Sequence, residues 1–127
     1  MKKLYISVPV EHRKKEDVVK SIEKLHVMAE IIFDQKLEVI QLPLEVPASG
    51  KERKAYIAGN LSKMVEADYF ISVNHVNSRI WETVWAERDL ARDFNIPSTF
   101  VDGKLLMPDL DKLQNGVIRR RGEEYEY

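Results

Sequence analysis

Along residues 4–101, two kinds of segment with different patterns of hydrophobic and polar positions alternate. Short runs rich in β-branched and aromatic residues, typical of buried strands, occupy residues 4–9, 37–40, 68–73 and 98–101. Longer segments lie between them, with apolar residues spaced mostly three and four apart, as on one face of a helix; these segments are residues 15–34, 52–66 and about 81–94. The pattern therefore predicts strands and helices in alternation.

Such alternation is typical of a parallel sheet covered by helices. We therefore expect an α/β fold, a Rossmann-like (flavodoxin-like) parallel sheet of four to five strands with helices on both faces. Residues 42–50, which carry Pro43, Pro47 and Gly50, are predicted to be a connecting loop.

The end of the chain lacks this pattern. We expect the α/β domain to cover residues 1–105 and residues 106–127 to form a C-terminal extension. Residues 107–113 are compatible with a short helix or a turn. Residues 119–127, RRRGEEYEY, have opposed charge blocks and no apolar periodicity, which favours a mobile tail or a strap onto a neighbouring subunit.

Composition narrows the class of protein. The chain has 127 residues, 44% hydrophobic and 32% charged, as in an ordinary globular domain. Its net charge of −1 creates no general field for a nucleic acid polymer or an anionic membrane. The chain has no cysteine, which excludes disulfides, thiolate metal sites and cysteine nucleophiles. The apolar run at residues 4–10 is too short for a signal peptide or a spanning helix, so we expect a cytoplasmic protein.

Glu87 is the first candidate for chemistry. It lies in the predicted third helix, shortly past the carboxyl end of a predicted strand, where open α/β sheets hold their ligands. Tyr5 lies within the first strand. A tyrosine in that position is more often a core residue than a catalytic group, so its importance depends on whether it meets Glu87.

The loop after the first strand offers further ligand candidates. In a doubly wound sheet this loop faces the ligand crevice, and here it carries Ser7, Pro9 and Arg13. A hydroxyl and a guanidinium suit a phosphate or a ribose. The alternative is that Arg13, together with Lys14 and Lys15, solvates the start of a helix.

The exit of the third strand is also dense in donors and acceptors. Asn74, His75 and Ser78 suit sugar hydroxyls or phosphate, although asparagine and serine are also common turn formers. His12, His26 and His75 have no metal-ligand spacing. We therefore expect neither a metal nor a cofactor.

Trp81 and Trp85 are one helical turn apart in the third helix. They suit stacking on a nucleobase, but tryptophans at this spacing more often pack against the body of a protein or against a second subunit. The sequence therefore favours an interface.

Several segments of the chain resemble those of a known protein family in their sequence, order and spacing. They are LYISVP at residues 4–9, Arg13, LSKMVEADYFISV at 61–73, AERDLAR at 86–92, and Ile96-Pro97. Together they resemble the nucleoside 2-deoxyribosyltransferase-like superfamily, in particular a branch of small phage- and bacteria-associated domains related to the deoxynucleoside monophosphate N-glycosidases. The resemblance covers about residues 3–101.

The resemblance implies a protein that binds a nucleoside or nucleotide and cleaves or transfers its N-glycosidic bond. Glu87 occupies the place of the nucleophile that attacks the anomeric carbon. Tyr5 matches the tyrosine that holds this carboxylate, and Arg13 matches a residue near the nucleotide phosphate. Members of the superfamily are usually dimers or larger, which implies a homo-oligomer.

Four positions depart from the family pattern, and one of them is Trp81, which stands where a phosphate-binding serine is common. Asn60 stands where relatives carry an aspartate that assists departure of the base, and Val8 and Thr83 stand where glycines are common. An amide cannot donate a proton as a carboxylic acid does. The alternative is therefore a catalytically silent module that sequesters a nucleotide signal, such as an ADP-ribose derivative, as in phage anti-defence. A third interpretation makes the tryptophans and the acidic-aromatic tail an oligomer interface without a ligand.

Overall fold

The computed structural model describes residues 1–11, 13–47, 50–74, 82–103 and 109. Within them a parallel sheet of four strands has the order β2-β1-β3-β4, the order of flavodoxin-like sheets. The strands are β1 (Lys2–Ser7), β2 (Leu37–Val39), β3 (Tyr69–Asn74) and β4 (Ser98–Asp102). The helices are α1 (Lys15–Ile32), α2 (Gly50–Lys63) and α3 (Glu82–Asp93), and a 3₁₀ turn, Met64–Glu66, follows α2.

This architecture confirms the predicted α/β class and the parallel Rossmann-like sheet. Most of the element bounds differ from the predicted ones by one to three residues, and two of the differences have a clear structural reason. The first strand begins and ends two residues before the predicted range, because Lys2 and Lys3 pair with β2 while Val8 and Pro9 lie beyond the ladder. The second helix changes to a 3₁₀ turn over its last predicted residues, a common way for a helix to end.

The two faces of β1 bury different kinds of side chain. Leu4, Ile6 and Val8 lie in an apolar cluster with residues of α1. The intervening Tyr5 faces the other side of the sheet, where it packs with Phe70 of β3 and Ala91 of α3. Because side chains alternate along a strand, one face of the sheet meets α1 and the other meets α3.

The strand order places a crevice at the end of β1. The chain leaves β1 toward β2 on one side and returns to β3 on the other, so β1 and β3 flank the point where the order reverses. Loops that leave such neighbouring strands in opposite directions open a crevice at their carboxyl ends.

The described helices include none long and apolar enough to cross a membrane.

Helix α3 ends in a tight backbone turn at Asn95. The amide of Ile96 donates to the carbonyl of Ala91 and the amide of Asn95 to that of Arg92, both at 3.0 Å, which is a Schellman motif. Asn95 has a φ of 57°, a left-handed conformation that asparagine tolerates better than most residues. This turn directs the chain into β4.

Replacing Asn95 by valine should therefore destabilise the fold. We expect Asn95→Val to lower the free energy of unfolding by roughly 1–2 kcal/mol, the cost of the left-handed region for a residue with a bulky Cβ. Urea unfolding followed by circular dichroism measures the change. Asn95→Gly is the matched control and should unfold at or above the wild-type midpoint; equal midpoints for the valine variant and wild type would contradict the assignment.

Candidate functional site

Glu87 belongs to the face of α3 that packs on the sheet. Val84, Glu87 and Ala91 are spaced three and four residues apart, and all three are buried. An acidic residue therefore occupies a position in the buried stripe where an apolar one is expected. Its side chain is only 6% exposed, so the carboxyl group depends on protein partners.

Two hydroxyl groups of β1 supply those partners. The Tyr5 hydroxyl donates a hydrogen bond to Oε2 of Glu87, and the Ser7 hydroxyl donates one to Oε1 at 2.9 Å. Tyr5 and Ser7 are two residues apart on one strand, so both point to the face that meets α3. Each carboxyl oxygen is thereby held from the sheet side.

Burial and hydrogen bonding act in opposite directions on Glu87. Burial raises the pKa of Glu87 from 4.5 to about 7, while the hydrogen bonds from Tyr5 and Ser7 work against that rise. The pKa of Tyr5 is raised well above its usual range, first by burial and then by the neighbouring carboxylate. Tyr5 is therefore a permanent donor, and Glu87 changes charge near neutral pH.

Glu87 also lines a narrow cavity at the carboxyl end of β1. The cavity volume is about 30 Å³, room for water but well below the several hundred Å³ of a typical ligand pocket. Its walls are mainly apolar, and the polar side chains on them include Asn60, Tyr56 and Thr83. A sugar can reach Glu87 only if part of this wall moves.

Asn60 is the one buried residue of α2, 6% exposed, and shares the cavity wall with Glu87. Tyr56 lines the same cavity, and its hydroxyl donates to the carbonyl of Pro43 at 3.3 Å. Burial is the main cause that raises the pKa of Tyr56. These contacts connect α2 to residues 40–47, the segment that covers the cavity.

Arg13 does not join this cluster. Its guanidinium is fully buried and forms a two-point ion pair with Asp109, with Nε to Oδ2 at 2.7 Å and one terminal nitrogen to Oδ1 at 3.0 Å. The other contacts go to the carbonyls of Pro9 and Asp17 and to the Ser21 hydroxyl. With its donors occupied in this way, Arg13 orders the loop between β1 and α1, and a phosphate would have to displace Asp109.

The remaining predicted ligand residues are dispersed. Pro9 is buried, and its carbonyl accepts the 2.9 Å bond from Arg13. Asn74 is exposed at the end of β3, paired in register with Asp102 of β4. His75 and Ser78 lie outside the described residues, as do Trp81 and most of the predicted extension. Within the described ranges, no group of three or more histidine, aspartate or glutamate side chains is arranged to hold a metal ion.

Ser72 is a site residue that the sequence reasoning missed. It is the register partner of Ser7, is fully buried, and its hydroxyl has no hydrogen-bond partner among the described residues. The signal was present in the alternation of β3, since Phe70 and Ser72 face the same side as Tyr5 and Ser7. A buried hydroxyl without a hydrogen-bond partner is energetically costly and uncommon. The site therefore contains the Ser72 hydroxyl as a donor in addition to the two that bind the Glu87 carboxylate.

Comparison with known proteins yields no match to a protein-family model, a curated protein or a solved structure. The arrangement of these side chains is therefore what indicates the function.

The raised pKa of Glu87 predicts a stability that depends on pH. An acid whose pKa is higher in the folded state holds its proton more tightly there, so its contribution to stability falls as the pH rises from about 4.5 to about 7. At about 1.36 kcal/mol per pKa unit, the full loss is about 3 kcal/mol.

The substitution Glu87→Gln replaces the carboxyl group by an uncharged amide of nearly the same shape. We expect the variant to be more stable than wild type by up to about 3 kcal/mol at pH 8 and by less than ~1 kcal/mol at pH 5. Urea unfolding of both proteins at the two pH values measures this difference. A gap that is independent of pH would show that Glu87 titrates normally in the folded protein.

Proposed function

We propose that the protein binds a nucleoside or nucleotide and cleaves or transfers its N-glycosidic bond, with Glu87 as the nucleophile. The observation that supports this most is the placement of one buried carboxyl group on a cavity wall beside the crevice at the end of β1, held by two hydroxyl donors. The resemblance to nucleoside 2-deoxyribosyltransferase-like proteins suggests the same role for this residue. A fixed, desolvated carboxylate suits attack on an electrophilic carbon.

The proposed reaction has two steps. A Glu87 oxygen forms a bond to C1′ of the sugar while the bond from C1′ to the base nitrogen breaks, and the base leaves with the electron pair. Water or a second base then attacks C1′ and releases the carboxylate. The departing base takes a proton from water, since the buried Asn60 on the cavity wall is an amide and cannot supply one.

The two hydroxyl donors orient the carboxylate without blocking it. A carboxylate oxygen has two lone pairs, so one hydrogen bond to each oxygen leaves a lone pair on each for attack. The donors also favour the ionised form, which is the nucleophile. Tyr5 and Ser7 thus offset part of the cost of burying the charge.

Binding requires the cavity to widen. Residues 40–47, which follow β2, form neither helix nor strand. Three of them, Leu42, Pro43 and Leu44, form part of the cavity wall. Outward movement of this segment would break the bond between Tyr56 and Pro43 and would expose the side of Glu87 that faces away from β1. The apolar wall then suits the face of a base, and the polar groups at its end suit the sugar.

Release of free base tests the proposal. The protein is incubated with deoxynucleosides, their monophosphates and NAD-like dinucleotides, and the released base is separated by chromatography. Glu87→Gln should abolish release while retaining the fold, because an amide cannot form the ester. Ser98→Ala, a change on the exposed edge of β4, is the matched control and should keep wild-type release.

The pH profile tests how the nucleophile is controlled. Because Glu87 must lose its proton, release should be half-maximal near pH 7 and reach a plateau roughly one pH unit higher. Tyr5→Phe removes a bond that lowers the pKa of Glu87, so its profile should shift to higher pH. A profile that is flat between pH 5 and 8 in both proteins would exclude Glu87 as the group that must ionise.

Asn60 favours a second candidate, a catalytically silent module that sequesters a nucleotide. The amide lies on the cavity wall beside Glu87, where it can bind a ligand but cannot protonate a leaving group. Under this alternative, isothermal titration with the same compounds detects binding without base release. Glu87→Gln should then leave the affinity within a few fold of wild type.

A further inference from the structure

Two serines lie side by side on the face of the sheet that meets α3. Ser7 of β1 and Ser72 of β3 are register partners on neighbouring parallel strands, and they are only 1% and 0% exposed. Register partners point to the same face of a sheet, and neighbouring strands are about 4.8 Å apart. Hydroxyl side chains form hydrogen bonds across such a gap. The two hydroxyls are therefore within reach of one bond.

The two serines differ in the bonds that they make. The Ser7 hydroxyl donates to Oε1 of Glu87 at 2.9 Å. A serine oxygen also has two lone pairs, so Ser7 can accept a hydrogen bond while it donates one. The Ser72 hydroxyl has no hydrogen-bond partner in the described part of the chain. One serine of the pair thus offers an acceptor, and the other has a donor to place.

The charge of Glu87 favours a bond between the two serines. A buried hydroxyl without a partner is costly, whereas rotation of a serine about its Cα–Cβ bond between staggered positions leaves the backbone unchanged. Hydrogen bonds to an ionised acceptor are stronger than those between neutral groups, and successive bonds polarise one another. Ser72 therefore gains most from a bond to Ser7 when Glu87 is ionised.

We infer that Ser72 is a positioning residue for Glu87, whose hydroxyl turns to donate to Oγ of Ser7 and so stabilises the ionised carboxylate through that serine. This chain of two bonds, from Ser72 through Ser7 to Glu87, is called the serine relay below. Because the ionised form is the nucleophile, the relay widens the pH range in which Glu87 reacts. That consequence rests on the proposed function, whereas the effect on the charge of Glu87 does not.

The tyrosines that face Glu87 keep their protons while it titrates. Tyr5 faces it from β1 and Tyr56 from α2 across the cavity, and the pKa of each is raised, first by burial. The only titratable residue of β3, Tyr69, packs on the opposite face of the sheet. On β4, the Asp102 carboxylate is exposed at the end of the strand. A change in the titration of Glu87 therefore reports on its own hydrogen bonds.

Carbon-13 NMR of the full chain tests the relay. The protein is labelled with [5-¹³C]glutamate, and the carboxyl signal of Glu87 is the one that is missing from Glu87→Gln. Its titration gives the pKa directly. We expect Ser72→Ala to raise the pKa of Glu87 by about 0.5 or more, because the charged form loses the second bond of the relay.

Two further substitutions at the same position separate the hydroxyl from the space that it fills. Ser72→Cys keeps nearly the same size but is a much weaker donor, so it should raise the pKa of Glu87 as Ser72→Ala does. Ser72→Thr restores a hydroxyl and should return the pKa to within about 0.2 of the wild-type value. Circular dichroism verifies that each variant is folded.

A double substitution identifies the route. Ser7→Ala should raise the pKa of Glu87 by more than Ser72→Ala does, since Ser7 bonds to the carboxylate directly. In the Ser7→Ala protein, Ser72→Ala should add less than about 0.2, because the relay is already broken. Ser21→Ala is the matched control: it removes another buried serine hydroxyl, on α1, and should leave the pKa of Glu87 unchanged.

Three results would overturn the relay. The first is a pKa of Glu87 in Ser72→Ala that equals or lies below the wild-type value. The second is that the two alanine substitutions shift the pKa additively, which means that Ser72 acts independently of Ser7. The third is that Ser21→Ala shifts the pKa as much as Ser72→Ala, which indicates a general effect of looser packing.

Base release from the same variants separates the relay from the proposed function. If both are right, the midpoint of the pH profile of release moves with the pKa of Glu87. A raised pKa in Ser72→Ala without any release of base from wild type supports the relay and contradicts N-glycosidic cleavage. Release of base together with an unchanged pKa in Ser72→Ala overturns the relay and leaves the proposed function standing.

Discussion

The burial of one carboxyl group between β1 and α3 is the constraint on which the site depends. Glu87 replaces an apolar residue in the buried stripe of α3, and an unpaired carboxylate there would be very costly. The sheet offsets that cost with two hydroxyls from alternate positions of β1. The same two bonds fix the direction of the carboxyl group, so the compensation for burial also orients it.

The opposition between burial and hydrogen bonding also sets the charge of the site. Burial raises the pKa of Glu87 and favours the protonated form, whereas the hydrogen bonds from Tyr5 and Ser7 lower that pKa and favour the ionised form. The balance holds its pKa at about 7. Ser72 lies buried beside Ser7, and its hydroxyl, which has no hydrogen-bond partner in the described part of the chain, is a further donor in the same layer.

A row of aromatic residues connects this site to Arg88 on another face of α3. Tyr5 stacks on Phe70 with ring centroids 5.8 Å apart, and Phe70 meets Phe100 edge-on at 6.4 Å. Phe100 in turn supports Arg88. The row crosses β1, β3 and β4 beneath α3, and that helix contacts it through Glu87 at Tyr5 and through Arg88 at Phe100.

The sequence by itself determined the element types and the class of fold, because strand and helix periodicities are local properties of the chain. It also indicated Glu87, since an acid past a strand end is visible in the linear order. Tertiary structure decided which side chains meet. Tyr5 and Glu87 are 82 positions apart, and only the pairing of β1 with β3 and the packing of α3 bring them together. The same long-range packing brought Arg13 to Asp109, left the Ser72 hydroxyl unbonded among the described residues and narrowed the cavity. Such outcomes depend on three-dimensional register and on competition among partners, which no local pattern of residues encodes.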